Sequence, residues 1–356
     1  MAEDTGIRAA RPAIHVGGQD VVSLSDGLLS LLVVENAAGL YRCEALFGNW
    51  GTSNNATGFL YFDRQVLDFG ASFTVKLGPD DSSAIFDGRI MALEAQFPNG
   101  RAPQLCVLAE DRLQDLRMTR RTRTFHNVDD ADVFRQVAND HNLTPRIDVN
   151  GAHHNALAQV NQSDLAFLRE RARAIDADVW IEGNTLAVQT HGARARDTVQ
   201  LSYQRDLREF SALADLSHQR TAVTCSGWDV AAKTAIQRDA TEAAIRGELG
   251  NDESGVSILQ AKIGDRKEAL AHTAPITGDQ AQLEAEAFFK LSARRFVTAR
   301  GEAEADSRLR VGNRVDLREL GPLFSGKYTL TEVRHVFDAR GIRTEFTAER
   351  AGLGRD

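Results

Sequence analysis

The sequence is poor in cysteine, which excludes the protein classes that disulfides or cysteine-bound metals hold together. Its three cysteines, Cys43, Cys106 and Cys225, are widely spaced and include no C-x-x-C pair. They therefore predict neither a disulfide framework nor a zinc knuckle. Each lies in an apolar, strand-like run, where a buried free thiol is expected, and free thiols fit assembly in a reducing cytoplasm.

Long hydrophobic runs are missing as well. The most apolar stretch, Leu28–Val34, is far shorter than the roughly 20 residues that a membrane helix needs. The first residues, Met1–Arg8, are polar and lack the charged start and apolar core of a signal peptide. We therefore expect neither membrane insertion by the chain itself nor export by a signal of its own.

Catalytic signatures do not occur in the sequence. The motifs G-x-S-x-G, G-x-x-x-x-G-K-[ST] and H-E-x-x-H are absent, and no G-x-G-x-x-G follows a strand. The one histidine pair, His153-His154, is expected in a surface loop rather than in a metal site. His335 shares a strand face with Val333 and Phe337, which predicts a half-buried residue rather than a general base. We therefore predict a protein that is not an enzyme, without catalytic residues, metal ligands or a cofactor.

The charge balance disfavours nucleic acids as partners. The chain has 50 acidic and 42 basic residues and a net charge of −8. Because phosphate binding needs clustered Lys and Arg, we expect no direct nucleic-acid recognition. The basic segment Arg117–Arg123 is a local exception, which we interpret as a solvated linker or an internal ion-pair patch. Three acidic pairs occur: Asp80-Asp81, Asp129-Asp130 and Asp252-Glu253. We interpret them as residues of solvated turns and helix caps rather than as the catalytic carboxylates of a glycosidase.

The chain is long enough for more than one core. It has 356 residues, of which 42% are hydrophobic, and single cores stop growing near about 250–300 residues. Residues 12–112 contain short apolar runs punctuated by Gly, Asn and Asp, which predicts a β-sandwich or barrel. Residues 120–192 are predicted as a small α+β module. Strands resume near residue 198, give way to helix formers over 231–294 and return over 296–350.

Local signals place several elements. Asp129 is predicted to cap one helix and Ser163 to begin a second. The β-rich runs on both sides of Gly183-Asn184 predict a hairpin. Two further helices are predicted over residues 239–249 and 279–295.

An internal repeat links the two β-rich regions. The first copy contains Phe86-Asp-Gly88, Phe97, Gly100 and Ala109-Glu110, and the second contains Phe324-Ser-Gly326, Phe337, Gly341 and Ala348-Glu349. Each copy predicts a long hairpin that closes its β region. Two related β domains would present two quasi-equivalent faces, so a trimer would present six and could dock on a six-fold object.

Two segments resemble a known family. The first has Gln159 and Asn161, the helix start Ser163-Asp164-x-x-Phe167-Leu168, and then the hairpin over 178–188; the second has Gly227-Trp228-Asp229 and the closing segments 309–315 and 324–349. In this order they resemble the phage late control D family, which includes the baseplate hubs of contractile phages and the first part of VgrG-type spike proteins. The resemblance covers residues 12–350.

The resemblance implies a mainly β, α+β fold with two related tube-type β-barrel domains. It also implies an α+β insertion between the barrels and a helical insertion inside the second barrel. The predicted boundaries are 1–116 for the first barrel, 117–195 for the α+β insertion, 196–230 with 295–356 for the second barrel, and 231–294 for the helical insertion.

A structural role and a set of partners follow from the same resemblance. The chain would be the baseplate hub of a contractile injection system or phage tail, a homotrimer that adapts a hexameric inner tube to a trimeric spike. Expected partners are the inner tube protein, baseplate wedge proteins, a cargo or tape-measure protein in the lumen, and a spike on a separate polypeptide, since the sequence stops after its last strand. Assembly is expected in the bacterial cytoplasm, and the protein would reach the outside only within a tail or injection particle.

Two other functions stay open at this point. A tail-associated cell-wall hydrolase would have to use residues 231–294, which are few for a hydrolase and show no paired catalytic signature. A carbohydrate-binding module would need an exposed aromatic platform. The three tryptophans, Trp50, Trp180 and Trp228, lie instead in strand-like apolar runs and are predicted to pack in the core.

Overall fold

The first part of the chain forms a β-sheet that curls round one hydrophobic core. The computed structural model describes residues 11–53, 56–77, 83–194, 197–271 and 273–354, so the acidic pair Asp80-Asp81 lies outside the described residues. The elements of this part are β1 (Ala13–Val16), β2 (Gln19–Asp20), α1 (Val22–Gly27), β3 (Leu28–Asn36), β4 (Arg42–Gly48), β5 (Gly51–Ser53), β6 (Ala56–Gly58), β7 (Ser72–Leu77), β8 (Ser83–Gln96), β9 (Gln104–Glu110) and α2 (Leu113–Arg117).

Alternation along the strands explains the curl of this sheet. In β4, Cys43, Ala45 and Phe47 are buried, whereas Glu44 and Leu46 lie on the other face, because successive side chains of a strand point to opposite sides. Strands β1, β3, β7, β8 and β9 contribute residues to the same core. Six strands of one sheet therefore turn their apolar residues towards a single shared core, as the strands of an open barrel do.

The middle segment packs two helices against two small sheets. Its elements are β10 (Arg120–Asp129), α3 (Asp130–Asp140), β11 (Thr144–Asp148), β12 (His153–Ser163), α4 (Asp164–Ala174), β13 (Ala177–Glu182), β14 (Thr185–Thr190) and a 3-10 turn (His191–Ala193). Asp129 caps α3 in a reciprocal capping box with Asp132, and Ser163 caps α4 by accepting the N–H of Ala166. The predicted caps are confirmed, and so is the hairpin, which β13 and β14 form.

The last part of the chain returns to the large sheet after an insertion of mixed structure. Its elements are β15 (Thr198–Ser202), β16 (Leu207–Ala214), β17 (Ala222–Asp229), β18 (Thr234–Thr241), a 3-10 turn (Glu242–Ile245), α5 (Arg246–Leu249), β19 (Glu253–Ser254), α6 (Gly255–Lys262), β20 (Lys267–Leu270), α7 (Gly278–Arg294), β21 (Val297–Glu304), β22 (Arg314–Arg318), α8 (Gly321–Phe324), β23 (Gly326–Asp338), β24 (Gly341–Arg350) and β25 (Gly352–Leu353).

The insertion differs from the helical segment that the sequence predicts over 231–294. Strands β18 and β20 lie there and flank β17 in a separate three-stranded sheet, which shares a core with α7. Strand β17, which the sequence places in the second barrel, therefore belongs to the insertion sheet. The helix predicted over 239–249 is also wrong in its first part, because pairing with β17 keeps the chain extended to Thr241 despite its helix-forming composition. The domain boundaries themselves stay a prediction.

The large sheet contains the same strand order twice. In the first part the order across the sheet is β1-β7-β8-β9-β4-β3, and in the last part it is β15-β22-β23-β24-β21-β16. Counted along the chain, both sets read first, fourth, fifth, sixth, third, second. They differ at one pairing, since β1 and β7 are antiparallel whereas β15 and β22 are parallel. The two sets are here termed unit 1 and unit 2.

Pairing irregularities occur at equivalent places in the two units. The register of β3 with β4 shifts after Leu28, and that of β16 with β21 shifts after Leu207. The register of β8 with β9 shifts after Ile90, and that of β23 with β24 shifts after Leu330. Because a bulge adds one residue at a fixed place in a strand, these four positions align the two units residue by residue.

This alignment tests the hairpin repeat that the sequence suggests. The hairpins are β8–β9 and β23–β24. Ala109 lies opposite Ile90 and Ala348 lies opposite Leu330, and Ile90 and Leu330 are the residues before the equivalent bulges. The two Ala-Glu pairs are therefore equivalent. Phe97 lies seven residues beyond Ile90, and Phe337 lies seven residues beyond Leu330. The glycines of the Phe-x-Gly motifs do not match in this way. Gly88 lies two residues before Ile90, whereas Gly326 lies four residues before Leu330. That part of the predicted match is wrong.

Units 1 and 2 are joined by direct strand pairing. Strand β3 of unit 1 pairs antiparallel with the second half of β23 of unit 2, from Asn36 opposite Glu332 to Leu31 opposite Phe337. The result is one continuous sheet of thirteen strands. Phe337 packs in the core of unit 1, so side chains as well as backbone cross this junction.

Strands dominate the described chain, and the prediction of a mainly β, α+β fold is confirmed. Helices pack on the middle segment and on the insertion, and the longest of them, α7, has 17 residues. Within the part that the structure describes, no helix combines the length and the apolar character needed to cross a membrane.

Asp129→Ala should lower the free energy of unfolding by about 1 kcal/mol, because it removes the acceptor for the N–H of Asp132 and half of the capping box. Urea denaturation followed by circular dichroism measures the change. Asp20→Ala is the matched control, since Asp20 is exposed on β2 and such surface changes stay within about 0.5 kcal/mol. Equal losses in the two variants would contradict the capping role.

Candidate functional site

The histidine pair lies in a strand and not in a surface loop, so that prediction is wrong. Strand β12 begins at His153, and its pairing with β10 turns His154 into the protein interior. The His154 Nε2 lies 3.2 Å from a guanidinium nitrogen of Arg171 and 3.5 Å from the Asp130 Oδ2. Burial alone would raise the pKa of Asp130, but hydrogen bonds from His154 and Arg171 hold that pKa below its usual range. His154 thus packs against a buried ion pair between Arg171 and Asp130.

His335 is a neutral packing residue of the large sheet. It is fully buried, deeper than the half-buried setting that the sequence predicts, and its Nδ1 lies 3.0 Å from the Thr344 hydroxyl oxygen. Burial lowers the pKa of His335 to about 3. Among the residues that the structure describes, no group of three or more His, Cys, Asp and Glu side chains could hold a metal ion.

The basic segment Arg117–Arg123 forms ion pairs within the chain. Arg117 lies 2.6 Å from Glu110, and Arg121 and Arg123 lie 3.2 Å and 2.9 Å from Asp164. The interpretation as an internal ion-pair patch is therefore confirmed. Because carboxylates already neutralise these guanidinium groups, the segment has less positive charge to offer a partner than its sequence suggests.

Two of the three tryptophans are not in the core, contrary to the prediction. Trp180 is buried, but Trp50 and Trp228 are about half exposed. Trp50 comes directly after β4 ends, and Trp228 lies on the small sheet of the insertion, whose core packs against α7. Neither position has a second layer over it, and a strand-like sequence alone does not show this.

Aromatic side chains form an exposed cluster at one end of unit 1. The Trp50 ring lies 5.2 Å from that of Phe59, and Phe59 lies 4.9 Å from Phe62 and 6.2 Å from Phe97. Phe97 opens the loop that joins β8 to β9, so the cluster lies where these two strands meet. These four residues are here termed the rim cluster.

A buried polar cluster lies behind the junction of the two units. Glu35 on β3 is fully buried; its carboxylate is ion-paired with Arg310 and accepts the backbone N–H of Val311 at 3.1 Å. Burial raises the pKa of Glu35, and the charge of Arg310 opposes that rise. Since Arg310 and Val311 precede β22, the contact ties unit 1 to unit 2.

The middle segment completes this cluster. Arg194 donates to the Tyr41 hydroxyl at 2.5 Å, pairs with Asp178 at 3.2 Å, and stacks 4.4 Å from the centre of the Trp180 ring. Gly312 has a φ of +88°, and a Cβ there would lie 2.4 Å from Arg194 Cδ, so glycine serves both the turn and the close approach. We refer to the following residues as the junction cluster: Glu35, Tyr41, Asp178, Arg194 and Arg310.

A second buried carboxylate, that of Asp111, joins two segments of the first part of the chain. The Asp111 carboxylate accepts the backbone N–H of Tyr41 at 2.7 Å and that of Leu113 at 2.9 Å. Burial raises the pKa of Asp111 to about 7 in spite of these hydrogen bonds. The residue thus holds the start of β4 against α2.

A groove between the middle segment and α7 is lined in part by carboxylates. Asp176, Asp178, His191 and Arg294 are among the residues that line it. Arg294 pairs with Asp176 at 2.5 Å and with Glu248 at 2.7 Å, and His191 lies 3.2 Å from Asp178. Arg194 also pairs with Asp178 at 3.2 Å. Each aspartate of the groove is therefore paired with an arginine, which is the arrangement of a structural ion-pair network.

The face of the large sheet that points away from the cores is the broadest candidate surface, here termed the open face. A row of directly opposed residues crosses it from unit 1 to unit 2 through five strands: Glu44, Leu32, Val336, Arg343 and Glu304. Because residues opposed across strands share a face, the open face continues without a break over the junction.

The open face combines apolar residues such as Leu32 and Val336 with charged ones, and acidic groups are in surplus. Its acidic residues include Glu44, Glu94, Glu209, Glu302, Glu304, Glu332 and Glu345, and its basic residues include Arg300, Arg334 and Arg343. Arg343 lies 3.2 Å from Glu345 and 3.5 Å from Glu302. Ion pairs thus neutralise part of the charge, and the remaining carboxylates give the face a negative potential.

Two stretches of edge in the large sheet lack a partner strand within the described chain. Strand β16 pairs with β21 on one side, and its other side is unpaired from Glu209 to Ala214. Strand β8 pairs with β7 as far as Arg89, but from Ala92 to Gln96 it pairs with β9 alone. Unpaired edges expose backbone N–H and C=O groups that can bind another chain.

The model of one protein family, the Alg8 N-terminal domain, matches residues 51–338. The chain belongs to the Alg8 N-terminal domain family. This match extends from unit 1 through the middle segment and the insertion to β23 of unit 2. The late control D resemblance is a separate assignment and stays a prediction. No curated protein matches this member of the Alg8 N-terminal domain family.

Solved structures share the fold of this Alg8 N-terminal domain chain along nearly its whole length. The 43 kDa tail protein of prophage MuSo2 from Shewanella oneidensis has a TM-score of 0.70 and 11% identity, with 96% of this chain and 98% of that chain covered. The tail protein from Neisseria meningitidis MC58 has a TM-score of 0.69 and 13% identity, with 97% of each chain covered. The E. coli c3393 protein, a type VI secretion system component with structural similarity to the T4 bacteriophage tail proteins gp27 and gp5, has a TM-score of 0.58 and 10% identity, with 96% and 79% covered.

Neither the junction cluster nor the unpaired edges are predicted from the sequence. Glu35 follows the apolar run Leu28–Val34 directly, and a carboxylate at the end of such a run is a usable signal, because a charge in a buried strand requires a partner. The edges leave no comparable signal. An edge strand and a central strand carry the same alternation, and only the long-range pairing of this Alg8 N-terminal domain chain separates them.

Glu35→Ala should lower the free energy of unfolding by about 3 kcal/mol, because Arg310 then loses its buried partner. Glu35→Gln is the matched variant and should cost less, since its amide oxygen can still accept the N–H of Val311. Urea denaturation monitored by tryptophan fluorescence compares the two. Losses below about 0.5 kcal/mol in both would show that the junction cluster does not stabilise the chain.

Asp111 should make the stability depend on pH. A pKa raised from 3.8 to about 7 means that the folded state holds this proton more tightly, so the contribution is complete below about pH 4 and is lost as the pH rises to about 7. Asp111→Asn is uncharged throughout and should remove a loss of about 3–4 kcal/mol over that range. Denaturation series at several pH values on both proteins measure this difference, and parallel pH curves would refute it.

Proposed function

We propose that this chain is a baseplate hub of a contractile injection system or phage tail. Three copies form a ring that joins a hexameric inner tube to a trimeric spike. The observation that carries the proposal is the repeated strand order of units 1 and 2. Each chain contributes two units of one kind, so three chains contribute six, and such a ring fits a six-fold partner at one end and a three-fold partner at the other.

Differences between the units support the three-fold side of this adapter. Unit 2 contains the insertion β17–α7 between β16 and β21, whereas the equivalent connection between β3 and β4 in unit 1 spans only residues 37–41. A ring of three chains would therefore combine six similar sheets with three insertions. Six-fold and three-fold features would coexist in one body.

Similar folds in tail proteins support the same proposal. Besides the two tail proteins and the type VI secretion component, a chain of the Francisella PdpA–VgrG complex has a TM-score of 0.51, and this chain spans 52% of that one. These identities are low, so the likeness supports a tail-type structural role through the fold alone. The late control D resemblance points to the same class of machine.

The proposed partners are assigned to different surfaces. The open face is the proposed lining of the lumen, where a cargo or tape-measure protein would pass, because it is the continuous side of the sheet that covers no core. The inner tube protein and a spike protein would bind the two ends of the ring. Helices α3 and α4 and the insertion are the proposed contact surfaces for baseplate wedge proteins. The predicted domain boundaries and assembly in the bacterial cytoplasm belong to this proposal.

We propose no enzymatic activity for the chain. The alternative, a tail-associated cell-wall hydrolase, would need free carboxylates, and the aspartates of the α7 groove are engaged by Arg294 and His191. The exposed aromatic rings of the rim cluster are a feature that the carbohydrate-binding alternative requires. Its Phe59 ring, however, meets the rings of Trp50 and Phe97 edge-on, at 82° and 85°, and such an arrangement offers no flat platform for a sugar ring.

One chain has a mass of 39.0 kDa. Light scattering on the purified protein at micromolar concentration should give three times this mass. A clean monomer at that concentration would count against the hub. A peptidoglycan zymogram tests the hydrolase alternative on the same sample. No clearing is expected, and a clearing band would replace the structural role with an enzymatic one.

A further inference from the structure

The strand pairing that joins units 1 and 2 could form a second time between the equivalent strands of the two units, but those strands are unpaired within the described chain. Within the chain, β3 of unit 1 pairs with the second half of β23 of unit 2. The equivalent strands in the opposite units are β16 of unit 2 and β8 of unit 1. We infer that β16 of one copy pairs with β8 of a second copy and so repeats between chains the junction found within each chain. This inference deepens the proposed hub function and rests on it for the number of copies.

The unpaired edges are the same edges that the internal junction uses. Strand β3 pairs with β4 on one side and with β23 on the other; β16 pairs with the equivalent β21 and is unpaired on its other side. Strand β23 pairs with β22 over its first half and with β3 over its second half. Strand β8 pairs with β7 over its first half, and its second half lacks the corresponding neighbour within the described chain.

Side chains at these edges are exposed where their equivalents are buried. Phe97 is 65% exposed, whereas its equivalent Phe337 is 7% exposed and packs in the core of unit 1. Leu213 on β16 is 61% exposed, whereas its equivalent Val34 on β3 is 6% exposed. Apolar groups that are covered at one junction and bare at the equivalent one indicate a missing partner surface.

Beyond Glu209, the β16 edge lacks the features that prevent pairing with another chain. The stretch Phe210–Ala214 reads Phe-Ser-Ala-Leu-Ala, with no charge and no proline. Protected edges carry charged side chains, proline or a bulge, and the bulge of β16 comes earlier, after Leu207. Addition of a strand to such an edge is a common mode of association between chains.

The internal junction also specifies the register between copies. Leu31 lies three residues after Leu28, the residue before the bulge, and pairs with Phe337. The same count places Phe210 of one copy opposite Phe97 of the next. The transferred antiparallel pairs are Phe210 with Phe97, Ser211 with Gln96, Ala212 with Ala95, Leu213 with Glu94, and Ala214 with Leu93.

This register gives Phe97 a packing partner. Phe210, Ala212 and Ala214 are only partly buried at the margin of the unit 2 core. Phe97 of the neighbouring copy would cover that margin, as Phe337 covers the core of unit 1 within the chain. The occupant of the β16 edge is therefore a second copy of this chain, because that copy supplies both the free strand β8 and the matching aromatic residue Phe97.

Disulfide trapping tests the register. The variant carries Ala95→Cys and Ala212→Cys in a Cys106→Ala background, because Cys106 lies opposite Glu94 near the edge while Cys43 and Cys225 are buried. Mild oxidation should give an interchain disulfide, seen on non-reducing gels as dimers and trimers. The matched control, Ala95→Cys with Ala214→Cys, is two residues out of register and should cross-link at least about tenfold less, since Cα atoms more than about 7 Å apart cannot be bridged.

The outcomes separate this inference from the hub proposal. A ladder that stops at the trimer supports both. A ladder that continues past the trimer supports the strand pairing and overturns the closed ring of three. A trimer by light scattering without an in-register cross-link keeps the hub and overturns the pairing, whereas a monomer without cross-link overturns both.

Phe97→Asp gives an independent readout. It should raise the dissociation constant between copies at least about tenfold, because a charge would enter the margin of the neighbouring core. Val230→Asp is the matched control, since Val230 is 73% exposed and follows β17, away from both edges. Thermal melts confirm that both variants fold, and sedimentation velocity measures association. Equal association of the two variants would contradict the role of Phe97.

Discussion

The pairing of β3 with β23 is the constraint on which the rest of the chain depends. It turns two curled sheets into one and lets Phe337 of unit 2 enter the core of unit 1. Its register has a chemical basis in Glu35, whose carboxylate is buried against Arg310 and the backbone of Val311. A slip of one residue would turn Glu35 to the open face and leave the Arg310 guanidinium without its partner, so the buried ion pair and the strand register specify each other.

The junction cluster extends this constraint to the middle segment. Arg194 comes from the segment after β14, yet it binds Tyr41 of unit 1 and passes close to Gly312 of unit 2. Three parts of the chain that are distant in sequence therefore meet at one guanidinium group. Buried charges of this kind contribute little net stability compared with apolar packing, but they strongly penalise arrangements that leave one partner unpaired.

Features with a local cause are predicted from the sequence, and features that depend on distant strands are not. The caps at Asp129 and Ser163 and the hairpin at Gly183-Asn184 depend on a few neighbouring residues, and all are found. Strand β17 has the alternation of a barrel strand but pairs with β18 and β20, because the same pattern fits either sheet. Trp50 is predicted in the core for the same reason, since its apolar setting does not show that β4 has already ended.

The sequence predicts that the functional sites are contact surfaces rather than a catalytic centre, but it does not predict which strands form them. The missing catalytic motifs and the hairpin repeat direct attention to surfaces, and the equivalence of Ala109 with Ala348 shows that the repeat is real. The glycines of the two Phe-x-Gly motifs do not align. Gly88 lies within β8, where a Cβ would clash with the backbone of Glu110, whereas Gly326 begins β23 with a φ of +130°. The residues of β8 and β16 do not mark these strands as edges. They are edges because the equivalents of β8 and β16, which are β23 and β3, pair with each other within the chain, whereas β8 and β16 do not.

The insertion between β16 and β21 has a consequence for how such a protein can change. In a ring built from identical single-unit subunits, an added segment at one turn appears at every position and crowds the whole circumference. A fused duplication removes that restriction, because one unit can gain a segment while its twin keeps the short turn over residues 37–41. The two halves are then free to diverge, and alternate positions of one ring can specialise without a second gene.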